Sequence, residues 1–318
     1  MSVVLGHDEV RTAFGEALQA ERLHHAWLLY GIQGIGKATL AKQLAALAMC
    51  ESPDLSNFQA CGQCHSCAML FAGSHPDYAH VELLYDDKKK KFNRDINIAQ
   101  TREALDFLAL SGLKSKRRVL MIDDANLMNN QSANALLKGL EEPTEGSLLF
   151  IVCHDLQRLP ATIRSRCMLQ ACSPLNEADM QAVLDMQGLD KELHALAVEL
   201  GQGSPGRVAM LSDSSQAKAL LAWQSILHNI AQSDIGEMQK WLDKYVKEIP
   251  HDLIANMILS AGHDAMAGQT QWDKSAAIYE ALVEVASWPK AVIRHSLRPV
   301  PALMAYIVQL RNALKTSV

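Results

Sequence analysis

Short apolar runs alternate with amphipathic stretches through the first half of the chain, whereas the second half carries helix-period stripes only. Ala26 to Tyr30 is a continuous apolar run, the pattern of a strand buried on both faces. Leu40, Leu44 and Leu47 then share one face of a helix that opens at Lys37 and ends near Met49. Ahead of this pair, Val10, Ala13, Phe14 and Leu18 form the stripe of a helix over 9–22. Val81 to Tyr85, Val119 to Ile122 and Leu148 to Val152 predict further strands. A helix is expected at about 97–109, with Ile98, Arg102, Leu105 and Leu108 on one face, and another from Asn130 that stops before Pro143. This alternation predicts an α/β fold with a parallel sheet. From about 213 onward the stripes are helical throughout: Ala219, Leu220, Trp223, Leu227 and Ile230; Leu253, Met257, Ile258 and Ala261; 276–285; and 303–314. They predict a helical bundle with Trp272 and Trp288 in its core.

The link between the first strand and its helix carries chemistry. Gly31, Gly34 and Gly36 permit a tight loop, and Lys37 follows at the spacing G-x4-G-K. Backbone N–H groups, a helix N-terminus and one ammonium together make a phosphate cradle. The next residue is Ala38, where a complete motif places the hydroxyl that ligates Mg²⁺. Thr39 is no substitute, because one residue on a helix turns a side chain by about 100°. The apolar run at 119–122 ends in Asp123-Asp124 and so delivers two carboxylates to the sheet edge where open α/β sheets bind ligands. In a P-loop ATPase, Asp123 would hold the Mg²⁺ shell and the second acid would orient the attacking water. Asp124 is one methylene shorter than the Glu usual there.

Composition narrows the classes. At 318 residues the chain is long enough for two or three domains, and 49% hydrophobic with 20% charged residues is ordinary for a globular protein. A net charge of -5 argues against a whole-surface grip on nucleic acid. No apolar run approaches a membrane span and the N-terminus does not resemble a secretion signal, so a cytoplasmic setting without a membrane partner is expected. Seven cysteines then point to metal ligands or free thiols. Cys50, Cys61, Cys64 and Cys67 supply two overlapping C-x2-C steps plus a fourth sulfur, the donor set of a closed, structural zinc site, with His65 as an alternative ligand. His24 and His25 read as packing or capping groups, and the charge run Asp86–Asp95, with Lys88–Lys91, as a solvated loop.

Taken together, His24-His-Ala26, the cysteine module, Asn134-Ala-Leu-Leu-Lys-Gly-Leu-Glu-Glu-Pro143 and Ser165-Arg-Cys167 resemble the bacterial clamp-loader subunits of the AAA+ class, densely over about 1–210. The resemblance implies an AAA+ P-loop domain over 1–172 with the zinc module at 50–67, a helical lid at 173–212 and a helical collar at 213–318. It implies that Arg166 acts as an arginine finger on ATP held by a neighbouring subunit, with Arg164 a nearby alternative outside the matching tripeptide. Sister subunits of the gamma/tau and delta types, a sliding clamp and primed DNA would be the partners. The family's sensor arginine follows a Gly-Ser-x-Arg pattern, but here Gly203-Ser-Pro-Gly-Arg207 places Gly206 at that position. With Ala38 and Asp124 this is a third weakening of one nucleotide site. The expected role is therefore a mostly non-hydrolysing subunit, with ATP or ADP weak or absent in its own cradle. An active ATPase motor of the same family, and a zinc-containing nucleic-acid-binding module, are the two rival readings.

Overall fold

The computed structural model describes residues 4–88, 90–110, 112, 114–266 and 272–315. In chain order the first unit contains α1 (Asp8–Gln19), β1 (Ala26–Tyr30), α2 (Lys37–Met49), α3 (His65–Phe71), β2 (Tyr78–Val81), β3 (Tyr85–Asp86), β4 (Lys91–Phe92) and α4 (Ile98–Leu108). It continues with β5 (Arg118–Ile122), α5 (Asn130–Glu141), β6 (Ser147–Cys153), α6 (Ala161–Arg164), β7 (Met168–Ala171) and α7 (Glu177–Met186). The second unit holds α8 (His194–Gly201), α9 (Ser214–Leu227), α10 (Ile235–Tyr245), α11 (His251–Met266), α12 (Trp272–His295) and α13 (Pro299–Lys315). The division assigns 1–186 and 202–207 to the first unit, 187–201 and 208–318 to the second.

The main sheet is parallel, in the order β2-β5-β6-β1-β7. Alternation along each strand sorts two cores. Trp27, Leu29, Val119, Met121, Leu148 and Phe150 face α1 and α2, while Ala26, Leu28, Leu120, Ile122, Leu149 and Ile151 face α4 and α5. Phe14 of α1 joins the first core, edge-on to Trp27 with centroids 4.9 Å apart.

Three expectations need correction. The strand expected at Val81–Tyr85 lies earlier, at Tyr78–Val81. Its register is set by buried Asp77, whose carboxylate accepts the N–H groups of Lys114 and Ser115 at 2.6 and 2.9 Å and whose carbonyl accepts Val119 N–H. The charge run at 86–95, expected as a loop, contains the antiparallel hairpin β3–β4, in which Tyr85 pairs with Phe92. The buried face of α4 is also rotated, carrying Thr101, Ala104 and Leu108, while Arg102 is exposed. Thr101 sits there because its hydroxyl meets that of Ser132 on α5. The capping box of Asn97 and Gln100 starts this helix.

In the second unit Trp223 stacks on Trp241 at 4.5 Å, and Trp241 Nε1 donates to Ala219 O. Trp288 is fully buried, as expected, and donates to Pro299 O; the side chain of Trp272 lies outside the described residues. Among the described residues no helix is long and apolar enough to cross a membrane.

Candidate functional site

The glycine loop has the predicted form. Gly31, Gly34 and Gly36 take φ values of 153°, 83° and 94°, of which the last two demand glycine, and Gly36 caps α2. A Cβ on Gly36 would meet open space, whereas one on Gly34 would lie 2.5 Å from Ser204 Oγ.

The loop carbonyls are taken up by the chain itself. Lys37 Nζ donates to Gly31 O at 2.8 Å and Ile32 O at 2.7 Å. The Ser204 hydroxyl donates to Gln33 O at 2.7 Å, Gly206 N–H to Gly34 O at 2.9 Å, and His7 Nε2–H to Ile35 O at 2.9 Å. Five consecutive carbonyls, 31 to 35, are thus held by side chains or backbone from three segments. Burial lowers the pKa of the Lys37 ammonium, opposed by the charges of Asp124 and Asp123. His7 and Ser204 were not among the residues singled out in the sequence. Ser204 lies in the sensor-like Gly-Ser pattern, but a pattern read for its arginine does not announce a hydroxyl contact.

The acids follow β5 as predicted. Burial raises the pKa of Asp123, partly offset by His80. Asp124 is already engaged: its Oδ1 accepts Asn126 N–H, and its Oδ2 meets His154 Nδ1. Asp124 therefore caps the turn that follows β5. Residues 205–212 form a 3₁₀ helix, so one residue of displacement turns Arg207 by about 120° from position 206. Arg207 donates to Gln202 Oε1 at 3.2 Å. The backbone shape fits a phosphate, but the groups required to hold Mg²⁺ and orient water do not: Ala38 offers no oxygen, Asp124 is tied to His154, and Gly206 carries no side chain.

Arg166 follows the short α6. Its Nη1 donates to Thr162 O at 3.0 Å, and its Nη2 pairs with Glu141 Oε1 of α5 at 2.8 Å. The two side chains are 37% and 49% exposed. Exposed pairs contribute about 0–1 kcal/mol, so the guanidinium can be released from Glu141 at little cost. Arg164 is more enclosed, with its Nε buried.

The four cysteines converge. The sulfurs of Cys50, Cys61, Cys64 and Cys67 lie within 4.8 Å of one another, and Cys50 Sγ is 3.9 Å from Cys64 Sγ. A tetrahedron with Zn–S bonds of about 2.3 Å has edges of about 3.8 Å. Backbone N–H groups of Cys61, Cys64 and Cys67 point at the sulfurs of Cys50, Cys61 and Cys64 at 3.3–3.4 Å, an arrangement that favours thiolates. The Cys61 thiol is pushed down to about 6 by the N–H groups of Gln63 and Cys64. Burial pushes the Cys67 thiol up. The donor set fits a metal ion. His65 opens α3 and is not in the cluster.

The module is anchored at two points. Phe58 lies against Gly15 of α1, where a Cβ would be 2.1 Å from its ring. Ser66 donates to Met49 O at 2.8 Å and meets His75 Nε2 at 2.9 Å, while Asp77 N–H donates to His75 Nδ1. With Nδ1 accepting, His75 Nε2 carries the proton and donates to Ser66, so this buried Ser-His-Asp set is a structural relay and not a nucleophile. His24 and His25 have local roles as well: His24 Nδ1 accepts Ala26 N–H, and His25 Nε2 donates to Leu140 O.

Comparison with known proteins decides the family. The model of the family "DNA polymerase III, delta subunit" matches residues 6–176. The chain belongs to this clamp-loader family. It is 40% identical over 148 residues to DNA polymerase III subunit delta' of Pseudomonas aeruginosa, covering 46% of this chain and 43% of that protein. To the Escherichia coli subunit delta' it is 31% identical over 219 residues, covering 68% and 63%. It thus spans less than two thirds of either relative's length. It is 33% identical to the Escherichia coli subunit tau over 165 residues, 52% of this chain and 24% of that one. A solved DNA polymerase III gamma subunit-related protein of Thermotoga maritima shares the fold, with a TM-score of 0.52 and 16% identity, over 95% of this chain and 99% of that one.

Proposed function

We propose that this chain is a non-hydrolysing clamp-loader subunit. It supplies Arg166 to ATP bound by an adjacent gamma/tau-type subunit and helps load a sliding clamp on primed DNA. Family membership supports the general role. The non-hydrolysing assignment rests on three residues: Ala38 carries no hydroxyl, Asp124 is engaged by His154, and Gly206 lies against Gly34 without a side chain. Lys37 keeps an anion site in outline, so weak ATP or ADP binding through Gly31, Gly34, Gly36 and Lys37, with Asp123 nearby, is compatible with this reading.

In the same reading Cys50, Cys61, Cys64 and Cys67 hold one structural zinc ion, which leaves no open coordination position and so no catalytic role. The chain would be organised as an AAA+ domain over 1–172, a lid at 173–212 and a collar at 213–318 that joins gamma/tau- and delta-type partners in the cytoplasm. The deciding experiment is ATP turnover by the purified chain, alone and in the assembled complex. Negligible turnover alone, with Arg166-dependent turnover in the complex, is expected; turnover alone at the level of an active AAA+ subunit would overturn the proposal in favour of a motor.

A further inference from the structure

The β3–β4 hairpin carries side chains that the fold does not use. Tyr85 and Phe92 are direct cross-strand partners and so share one face, with ring centroids 5.2 Å apart and planes at 76°. They are 50% and 63% exposed, and adjacent Leu84 is 50% exposed. Neither ring belongs to the two cores of the sheet. An edge-on pair uses one face of one ring only, which leaves aromatic faces open to solvent. A two-stranded hairpin is marginal by itself and gains little from presenting apolar rings to water.

The opposite face and the tip are charged. Asp86 is the direct partner of Lys91, and its Oδ1 accepts Lys88 N–H at 3.0 Å, so this carboxylate serves the hairpin itself. Lys88, Lys90, Lys91 and Arg94 are exposed. From Tyr85 to Arg94 the sequence has five basic residues against two acidic ones, a local excess opposite in sign to the whole chain's net charge of -5. Open aromatic faces beside a concentrated positive charge are what single-stranded nucleic acid requires, since bases stack on the rings while cations meet the phosphates.

We propose that the β3–β4 hairpin is a contact site for single-stranded nucleic acid, with Phe92 and Tyr85 as stacking platforms and Lys88, Lys90, Lys91 and Arg94 as phosphate contacts. The site is separate from the cysteine module and does not depend on the role of Arg166. The test is fluorescence anisotropy of a labelled oligothymidylate titrated with the full chain over a series of salt concentrations. Wild-type protein should bind with a negative salt slope and prefer the single strand to a duplex of the same length. Phe92→Ala should weaken binding about tenfold, Phe92→Trp should retain it, and Lys88→Ala with Lys91→Ala should flatten the log–log slope by about 1.4. An unchanged circular dichroism spectrum will show that these exposed changes leave the fold intact, and Tyr85→Ala provides a second reading of the same face. Absence of oligonucleotide binding at low salt, or equal binding by wild type and both aromatic variants, overturns the proposal. Absence of binding together with loss of a protein partner from the complex on Phe92→Ala would reassign the face to protein contact and overturn it equally.

Discussion

Gly206 and Gly34 meet backbone to backbone: the Gly206 N–H donates to Gly34 O at 2.9 Å, and a Cβ on Gly206 would lie 2.6 Å from Gly34 Cα. The glycine where the family places its arginine is therefore a fitted contact as well as a missing charge. Gly206→Arg is expected to destabilise the chain by about 1–3 kcal/mol, by forcing the loop and the 3₁₀ segment apart, and to restore no ATP turnover. Thermal denaturation and a turnover assay on one preparation check both parts.

Arg166→Ala should behave in the opposite manner. The Glu141 pair it breaks is exposed, so stability should fall by no more than about 1 kcal/mol. ATP hydrolysis by the assembled complex should fall steeply, because a finger is worth about 10³–10⁵ in rate at the site it serves. Glu141→Gln, which removes the carboxylate and leaves the arginine, should spare hydrolysis. Equal rates for wild type and Arg166→Ala would remove the finger.

Much of this architecture was legible in the sequence because the signals were local. The strand at Ala26–Tyr30 and the helix from Lys37 to Met49 appear with the expected bounds, since a continuous apolar run between Trp27's core and that of Leu28 has one stable placement. The four cysteines converge because C-x2-C curls sulfurs toward one point whatever surrounds it. What could not be read was set by distant partners. Tyr78–Val81 was displaced because Asp77 is held by Lys114 and Ser115, and Thr101 turned inward to meet Ser132. Likewise, nothing near His7 or Ser204 indicates that each reaches a carbonyl of the glycine loop. The hairpin was missed because the mixed charge run Asp86–Asp95 concealed the Tyr85–Phe92 pair.

Removing the metal should expose the ordering of the thiols. Chelated protein is expected to release one equivalent of zinc and to loosen around 50–70, read by elemental analysis and hydrogen exchange. While the loop keeps its fold, Cys61, whose thiol the N–H groups of Gln63 and Cys64 push down to about 6, should be alkylated first, with a rate that falls as pH drops through 6. Cys67, held protonated by burial, should react last.

Gly15→Ala tests the seat of the module. Alanine in a helix normally gains about 0.5–1 kcal/mol over glycine. Here a Cβ would enter the Phe58 ring at 2.1 Å, and overpacking costs about 1–3 kcal/mol, so the clash should prevail and Tm should fall. Phe58→Ala in the same chain should return part of the loss, measured as a positive coupling in a double-mutant cycle.

Asp123 gives a pH-dependent outcome. Its folded pKa is raised above the ordinary 3.8, so the folded state favours the protonated acid, and the associated stability is present at low pH and lost as pH rises through the folded pKa. Asp123→Asn removes that ionisation. The variant should melt above wild type at pH 7, and the difference should shrink toward pH 3.

The carbonyl contacts at 31–35 also bear on descent. They come from Lys37, from His7 near the start of the first unit and from Ser204 and Gly206 far along the chain. Under the non-hydrolysing reading, no single reversion restores an ATPase: a hydroxyl at 38 leaves Asp124 tied to His154, and an arginine at 206 collides with the loop it would serve. The arginine at 206 would lose stability before gaining turnover, so that route toward a motor is blocked at its first step. The loop has become a ratchet.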